Sequence, residues 1–267
     1  MTRLAVSVLI VIVAFLAFAQ FVRRTGMFFP DRYPNGLWDV NAWSVVPTEH
    51  FFRAGDGVML HGWWFRAADA SAPVLVWCHG NGGNLTHRAE MAAELARRGV
   101  SVFLFDYRGF GRSEGRVSES GSFLDSLAAY DFVKQQTAQP IALYGESIGG
   151  PYAAYVAKER KPVRAVVIEN SFPSLMDLGN ALYKLGWTAP FAMRTTAWLN
   201  EAGAPVLVMH GMGDEVIPYA LGKKLYDGLR VPKELMTSSA GHSQIPAVEP
   251  ARYYDTVTRF VKAGGPR

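Results

Sequence analysis

The chain has 267 residues, 49% apolar and 19% charged. That suits one large α/β domain or two small ones around a packed core and excludes a largely disordered protein. The formal charge of +4, from 27 basic and 23 acidic residues scattered along the sequence, is too weak and dispersed for a nucleic-acid partner. Cys78 is the only cysteine, so no intrachain disulfide can form. No Cys/His set has zinc-ligand spacing, and cysteine usage leaves the compartment open.

Residues 4–22 carry no charge, with Arg3 in front and Arg23 and Arg24 behind. At about 1.5 Å per residue, such a helix nearly crosses the hydrocarbon layer of a bilayer. It has no polar face, which argues against a buried core helix. Residues 1–24 therefore read as a single-pass membrane anchor. The alternative is a signal peptide, because Ala17-Phe18-Ala19 has the small-x-small form that is cleaved after the second small residue. The run continues past Ala19 through Phe21 and Val22 to an arginine pair, which favours the anchor. Basic residues balance across the run, so the side of the membrane stays open. Residues 25–48 contain Pro30, Pro34, Asn35 and Gly36 and read as an irregular connector.

From residue 49 to the end a βα rhythm sets in. Residues 49–54 and 58–66 read as antiparallel strands around Gly55-Asp56-Gly57. Buried strands are predicted at 74–78, 100–105, 141–144, 163–168, 205–209 and 233–237. Helices are predicted at 85–98, 123–136, 148–160, 219–229 and 251–261, the second opened by a capping box from Ser122 to Asp125. Buried strands alternating with helices mean a parallel sheet covered on both faces, with ligands at the carboxyl ends of its strands. Residues 172–200 interrupt the rhythm and read as a small helical cap. Its large apolar residues, Phe172, Leu175, Met176, Leu178, Leu182, Tyr183, Leu185, Trp187 and Phe191, would either form an acyl pocket or simply pack the cap on the sheet.

The chemistry-bearing motif is Gly145-Glu146-Ser147-Ile148-Gly149, a G-x-S-x-G between a strand and a helix. Glycines two before and two after the serine allow a turn sharp enough to project its hydroxyl from the sheet. Ile148 N–H, at the helix start, points where an oxyanion would form. A serine hydroxyl needs a base, and the base needs an acid to fix its tautomer. In the Ser, Asp/Glu, His order of this arrangement, His242 follows the strand at 233–237, and Asp214 or Glu215 follows the strand at 205–209. His79 comes too early in the chain to be the base, and His210 closes a strand. His50, His61 and His87 lack a matching context. The loop His79-Gly80-Asn81-Gly82-Gly83-Asn84 would supply the second oxyanion donor, Asn81 N–H, with Gly82 as the alternative. Gly109-Phe110-Gly111 followed by Gly115 mimics a dinucleotide loop, but the last glycine is one residue late. Cys78 reads as a small buried residue.

Together these residues resemble the α/β-hydrolase superfamily. Asp106-Tyr107-Arg108-Gly109-Phe110-Gly111-Arg112-Ser113-Glu114-Gly115, Glu169-Asn170-Ser171-Phe172 and Gly241-His242-Ser243 narrow the likeness. They are similar to α/β-hydrolase-domain proteins with one N-terminal membrane helix, from about residue 45 onward. The resemblance implies an eight-stranded, mainly parallel sheet and a triad of Ser147, His242 and Asp214. Asp214 is preferred over Glu215 because Val216-Ile217-Pro218 looks like the family's tail after its acid. It also implies two-step acyl transfer with no metal or organic cofactor, and a structural role for Asp106 in tying down the Arg108 loop. The expected function is a serine hydrolase of carboxylic esters or thioesters, on a small-molecule acyl substrate, apolar or lipid, near a membrane. The alternatives are an aminopeptidase-like serine peptidase and a non-catalytic binding module on the same fold.

Overall fold

Alternating side chains along the strands settle which face each covers. In a computed structural model that describes residues 6–8, 10, 27–184 and 193–266, the chain forms ten strands and eight α-helices among the described residues. These are β1 (Phe29–Pro30), β2 (Thr48–Arg53), β3 (Met59–Phe65), β4 (Val74–Cys78), β5 (Gly82–Gly83), α1 (Ala89–Arg97), β6 (Ser101–Asp106), α2 (Glu119–Gln136) and β7 (Ile141–Glu146). Then come α3 (Gly149–Glu159), β8 (Val166–Glu169), α4 (Leu175–Tyr183), α5 (Thr195–Ala202), β9 (Val206–Gly211), α6 (Tyr219–Gly228), β10 (Lys233–Ser238), α7 (Ile245–Val248) and α8 (Pro250–Ala263).

Eight of the strands form one sheet in the order β10-β9-β8-β7-β4-β6-β3-β2. All neighbours are parallel except β2 against β3 and β3 against β6. Every residue of β4, β6, β7 and β9 is buried, as a parallel sheet covered on both faces requires. Val76, Phe103, Leu143, Ile168 and Val208 pack on the side of α3. Their neighbours Leu75, Trp77, Leu104, Tyr144, Val167 and Leu207 pack with α1 and α8 on the other. The chain leaves β4 toward β6 on one side and leaves β7 toward β8 on the other, so the switch point where a crevice forms in such sheets lies between the loops after β4 and β7.

Three expectations change. The second helix begins at Glu119, four residues earlier than expected. Its N-cap is Ser118, whose side chain accepts from Gly121 N–H, so Ser122 is no cap. Asp125 instead lies buried against Arg108. The Arg108 loop is consequently held by Asp125 and by Asp56, and not by the Asp106 carboxylate, although the Asp106 carbonyl accepts from Ser113 Oγ at 2.7 Å. Asp106 accepts Leu85 N–H at 2.8 Å and lies between the rings of His61 and His79.

The interval expected to be a cap contributes α4 and α5. Phe172 and Leu175 are buried, whereas Met176, Leu182 and Tyr183 are exposed, and Leu178 packs on the core. Leu185, Trp187 and Phe191 lie outside the described residues, as do Ala19 and nearly all of residues 1–24. Among the described residues no helix is long and apolar enough to cross a membrane.

Candidate active site

Strand β7 delivers Ser147 through a turn that only small neighbours permit. Ser147 itself sits at φ +54°, a left-handed conformation that costs a non-glycine residue on the order of 1–3 kcal/mol and persists only where its surroundings enforce it. A Cβ on Gly145 would lie 2.6 Å from the Gly150 Cα, and one on Gly149 would lie 2.0 Å from the Cys78 carbonyl oxygen. Both glycines of the motif are therefore required by close backbone approach. Ser147 N–H donates to the Glu169 carbonyl at 2.8 Å, and the Ser147 carbonyl accepts from Gly150 N–H at 3.0 Å. The strained residue is thus pinned on both sides.

His242 and Asp214 arrive on two loops laced together beyond β9 and β10. Met212 N–H donates to the Ser238 carbonyl at 2.7 Å and Gly213 N–H to the Ala240 carbonyl at 3.1 Å. His242 lies between Gly241 and Ser243, the latter at φ +56°. Its Nδ1 donates to Asp214 Oδ2 at 2.8 Å, and its Nε2 lies 3.2 Å from Ser147 Oγ. An ionised carboxylate can only accept, so Asp214 fixes the proton on Nδ1 and leaves Nε2 free to take the serine's proton. Glu215, the competing acid, is placed differently: its Oε2 accepts from the backbone N–H of His242 at 3.3 Å.

Asp214 is held from several directions. Its Oδ1 accepts from Val216 N–H and Ile217 N–H at 2.9 and 2.8 Å. Burial pushes its carboxyl up. Hydrogen bonds from His210, His242 and Ile217, with the charge of His242, outweigh this and leave it well below the usual carboxylate range. Burial likewise pulls His242 down, but the hydrogen bond and charge of Asp214, aided by Glu146 and Glu169, raise it overall.

Sequence reasoning missed His210. It is fully buried, its Nε2 lies 2.9 Å from the Ile217 carbonyl and 3.4 Å from Asp214 Oδ2, and Gly222 leaves room for its ring. The signal was its place four residues before Asp214 at the end of a buried strand. A buried imidazole needs partners, and the acid loop is the nearest source.

A second missed feature lies beneath the serine. Glu146, the residue before it, is buried and bound bidentately by Arg88, with contacts of 3.0 and 2.8 Å. Burial raises its carboxyl, but Arg88 and the Gly80 N–H hold it down at about 2. Glu169 sits beside it in register. Burial and the Glu146 charge push Glu169 up to about 7. Tyr144 hydrogen-bonds Glu169, and Tyr144 and Tyr253 share a hydrogen bond of 2.6 Å. A glutamate in a buried strand-to-helix turn demands a counter-charge, but sequence alone does not say which arginine provides it.

The expected oxyanion donors stand at the same edge. Neither Ile148 N–H nor Asn81 N–H has a hydrogen-bond partner among the described residues. Gly82 lies in β5. His79 is structural, with Nδ1 2.7 Å from the Gly80 carbonyl and its ring against Tyr107 and Phe110. His61 is buried beside Glu49 and Asp106. Burial pushes the Cys78 thiol up to about 12, which leaves it no thiolate at neutral pH. Among the described residues, no group of three or more His, Cys, Asp and Glu side chains could hold a metal ion.

Residues 69–187 match the family described as serine aminopeptidase, S33. An uncharacterized protein of Mycobacterium tuberculosis, Rv2307c, is 32% identical over 251 residues, covering 90% of this chain and 87% of its own length. The chain belongs to the α/β-hydrolase superfamily. The lysophosphatidylserine lipase ABHD12 of Danio rerio is 31% identical over 214 residues, 71% of this chain and 55% of that protein. In fold, the α/β-hydrolase chain is similar to the Pyrococcus furiosus esterase Pf2001, with a TM-score of 0.74 at 20% identity, covering 89% of this chain and 98% of that one.

Proposed function

We propose that this α/β-hydrolase cleaves carboxylic esters or thioesters through an acyl-enzyme formed on Ser147. The observation that carries the reading is the continuous chain from Ser147 Oγ to His242 Nε2 at 3.2 Å and from His242 Nδ1 to Asp214 Oδ2 at 2.8 Å. Ser147 Oγ bonds to the acyl carbon while its proton passes to His242 Nε2. The oxyanion is stabilised by the N–H groups of Ile148 and Asn81. Collapse expels the alcohol or thiol, which takes the proton from His242. Water then gives a proton to His242 and bonds to the acyl carbon, and Ser147 leaves with that proton as the free acid departs.

An apolar, lipid-like acyl group is supported by the exposed Met176, Leu182 and Tyr183 on α4. It is also supported by the uncharged run at residues 4–22, read as a membrane anchor, and by the likeness to a protein named as a lysophosphatidylserine lipase. Peptidase activity is the second reading, favoured by the S33 aminopeptidase match. Against it, Glu146, the carboxylate next to the serine in sequence, is already neutralised by Arg88 and so does not offer itself to a substrate amine.

A fluorophosphonate probe tests the mechanism: it labels the wild type, and labelling disappears in Ser147→Ala. An acyl-ester series of increasing chain length, run beside aminoacyl anilides, tests the substrate class. Turnover of the anilides alone would reverse the order of the two readings, and a preference for acetates would remove the lipid one. Retention of the full chain in membranes through alkaline extraction tests the anchor.

A further inference from the structure

The connector in front of the domain does more than join it to the N-terminal run. Met27 accepts from Asn81 Nδ2 at 3.0 Å, Phe29 N–H donates to the Asn81 carbonyl at 2.8 Å, and Asp31 N–H donates to the Gly83 carbonyl at 2.9 Å. Phe29 and Pro30 thereby pair in parallel with Gly82 and Gly83. Asn84 Nδ2 reaches the carbonyls of Asp31 and Asn35 at 3.1 and 2.8 Å.

The same segment is fastened on its other side. Gly111 N–H donates to the Asp31 carbonyl at 2.9 Å, Tyr33 N–H donates to the Gly111 carbonyl at 3.0 Å, and Arg32 donates to the Gly115 carbonyl at 2.7 Å. Phe28 plugs into the core at 5% exposure, whereas Phe29 is 65% exposed. The segment is thus seated by one buried side chain and a row of backbone bonds.

Its partner is the loop that carries the second oxyanion donor. Gly80-Asn81-Gly82-Gly83 has one side chain among four residues, and glycine gives the backbone its greatest freedom. From beneath, the loop is held by Arg88, which donates to the Gly82 carbonyl at 2.8 Å, and by Glu146, which accepts Gly80 N–H. From outside, Asn81 is held by residues 27–31 through both its carbonyl and its side chain. An oxyanion donor works only within a fraction of an ångström of its productive place, so what clamps Asn81 sets its worth.

We propose that residues 27–31 are a positioning element of the acyl-transfer site: by adding a strand to the loop at 80–83, they fix the Asn81 N–H for the oxyanion. This rests on the acyl-transfer reading above. The residues act through Asn81 and touch no substrate.

The test is Phe29→Pro in the full chain, which removes the N–H that donates to Asn81. A backbone ester at position 29, introduced as the α-hydroxy acid, removes the same donor without added bulk and covers the case in which the proline variant does not fold. The wild type is first shown to label with fluorophosphonate and to turn over a p-nitrophenyl ester; failure there sinks the acyl-transfer reading itself. Rates are then expressed per site titrated with the probe, so that misfolded protein drops out. The expected result is a kcat per titrated site lower by about 10- to 100-fold, as for a misplaced catalytic group, with KM within about threefold. Affinity for a trifluoromethyl ketone, which forms the oxyanion, should fall in proportion to kcat. A merely structural role would lower the melting temperature and the number of titratable sites while leaving kcat per site unchanged, and that outcome would overturn the proposal.

Discussion

Replacing Asp214 with asparagine asks whether the carboxylate orients His242 or only stands near it. The loop presents two backbone donors, Val216 N–H and Ile217 N–H, to Oδ1, and His242 Nδ1 to Oδ2. The backbone donors cannot turn away, so an asparagine must give them its oxygen and point its NH2 at the ring. A ring nitrogen facing a donor must be the acceptor, which moves the imidazole proton to Nε2. That nitrogen then cannot take the proton of Ser147. In serine proteases the same inversion costs about 10⁴-fold in kcat, or about 5 kcal/mol of barrier at 1.36 kcal/mol per decade. A loss of that order is expected here.

The pH profile adds an independent check. His242 is raised above its ordinary value, chiefly by the hydrogen bond and charge of Asp214 working against burial. The base works only when deprotonated, so wild-type kcat/KM should climb through an acid limb above about pH 6.5. With the charge removed, the downward push of burial remains and the residual activity should show its acid limb at lower pH. The assay is p-nitrophenyl butyrate hydrolysis from about pH 5 to about pH 9, normalised to titrated sites. A loss smaller than tenfold, or an acid limb that stays in place, would refute the assigned role of Asp214.

Arg88→Met leaves the buried Glu146 carboxylate without its partner and should lower unfolding free energy at neutral pH by about 3–5 kcal/mol in urea titration, with Arg88→Met/Glu146→Gln recovering much of it. In the wild type, Glu146 is held at about 2 against 4.5, so its contribution is present above pH 4.5 and is lost as pH falls toward 2; Glu146→Gln should flatten that fall. Glu169 has the opposite sign. Its carboxyl is raised to about 7, so the unfolded chain releases this proton first and stability declines between about pH 4.5 and pH 7, by up to about 3 kcal/mol. Glu169→Gln should abolish that decline in melts across the window. Gly149→Ala forces a Cβ to 2.0 Å from the Cys78 carbonyl. It should lower the melting temperature by the equivalent of about 1–3 kcal/mol and abolish fluorophosphonate labelling, because the strand-to-helix turn must open.

What the sequence disclosed follows the strength of its local physics. Fully buried strands such as Val74–Cys78 announce themselves as apolar runs, and Gly145 and Gly149 are legible because no other residue fits the turn around Ser147. The separation of Asp214 from Glu215 needed the likeness to relatives, and only the fold shows the reason: Glu215 meets the backbone of His242 rather than its ring. Long-range polar pairing was illegible. Nothing local to Arg88 points to Glu146, 58 residues away, and the acid expected to hold Arg108 proved to be Asp125 together with Asp56. The short pairing of Phe29–Pro30 with Gly82–Gly83 escaped for the same reason. Two glycines and a proline carry no strand signal, and only the tertiary partner makes them a ladder.

Because Met27 is bonded directly to Asn81, the described chain enters the domain beside the loop at 80–83, on the rim that carries Ser147, and not at the far side of the sheet. Four residues separate Val22, the last of the uncharged run, from Met27. Fully stretched, the five steps between them reach at most about 18 Å. If residues 4–22 lie in a bilayer, as proposed above, so short a leash would keep the mouth of the site near the headgroups. A long acyl chain could then pass between leaflet and serine without crossing open water, and the released acid could slip back the same way.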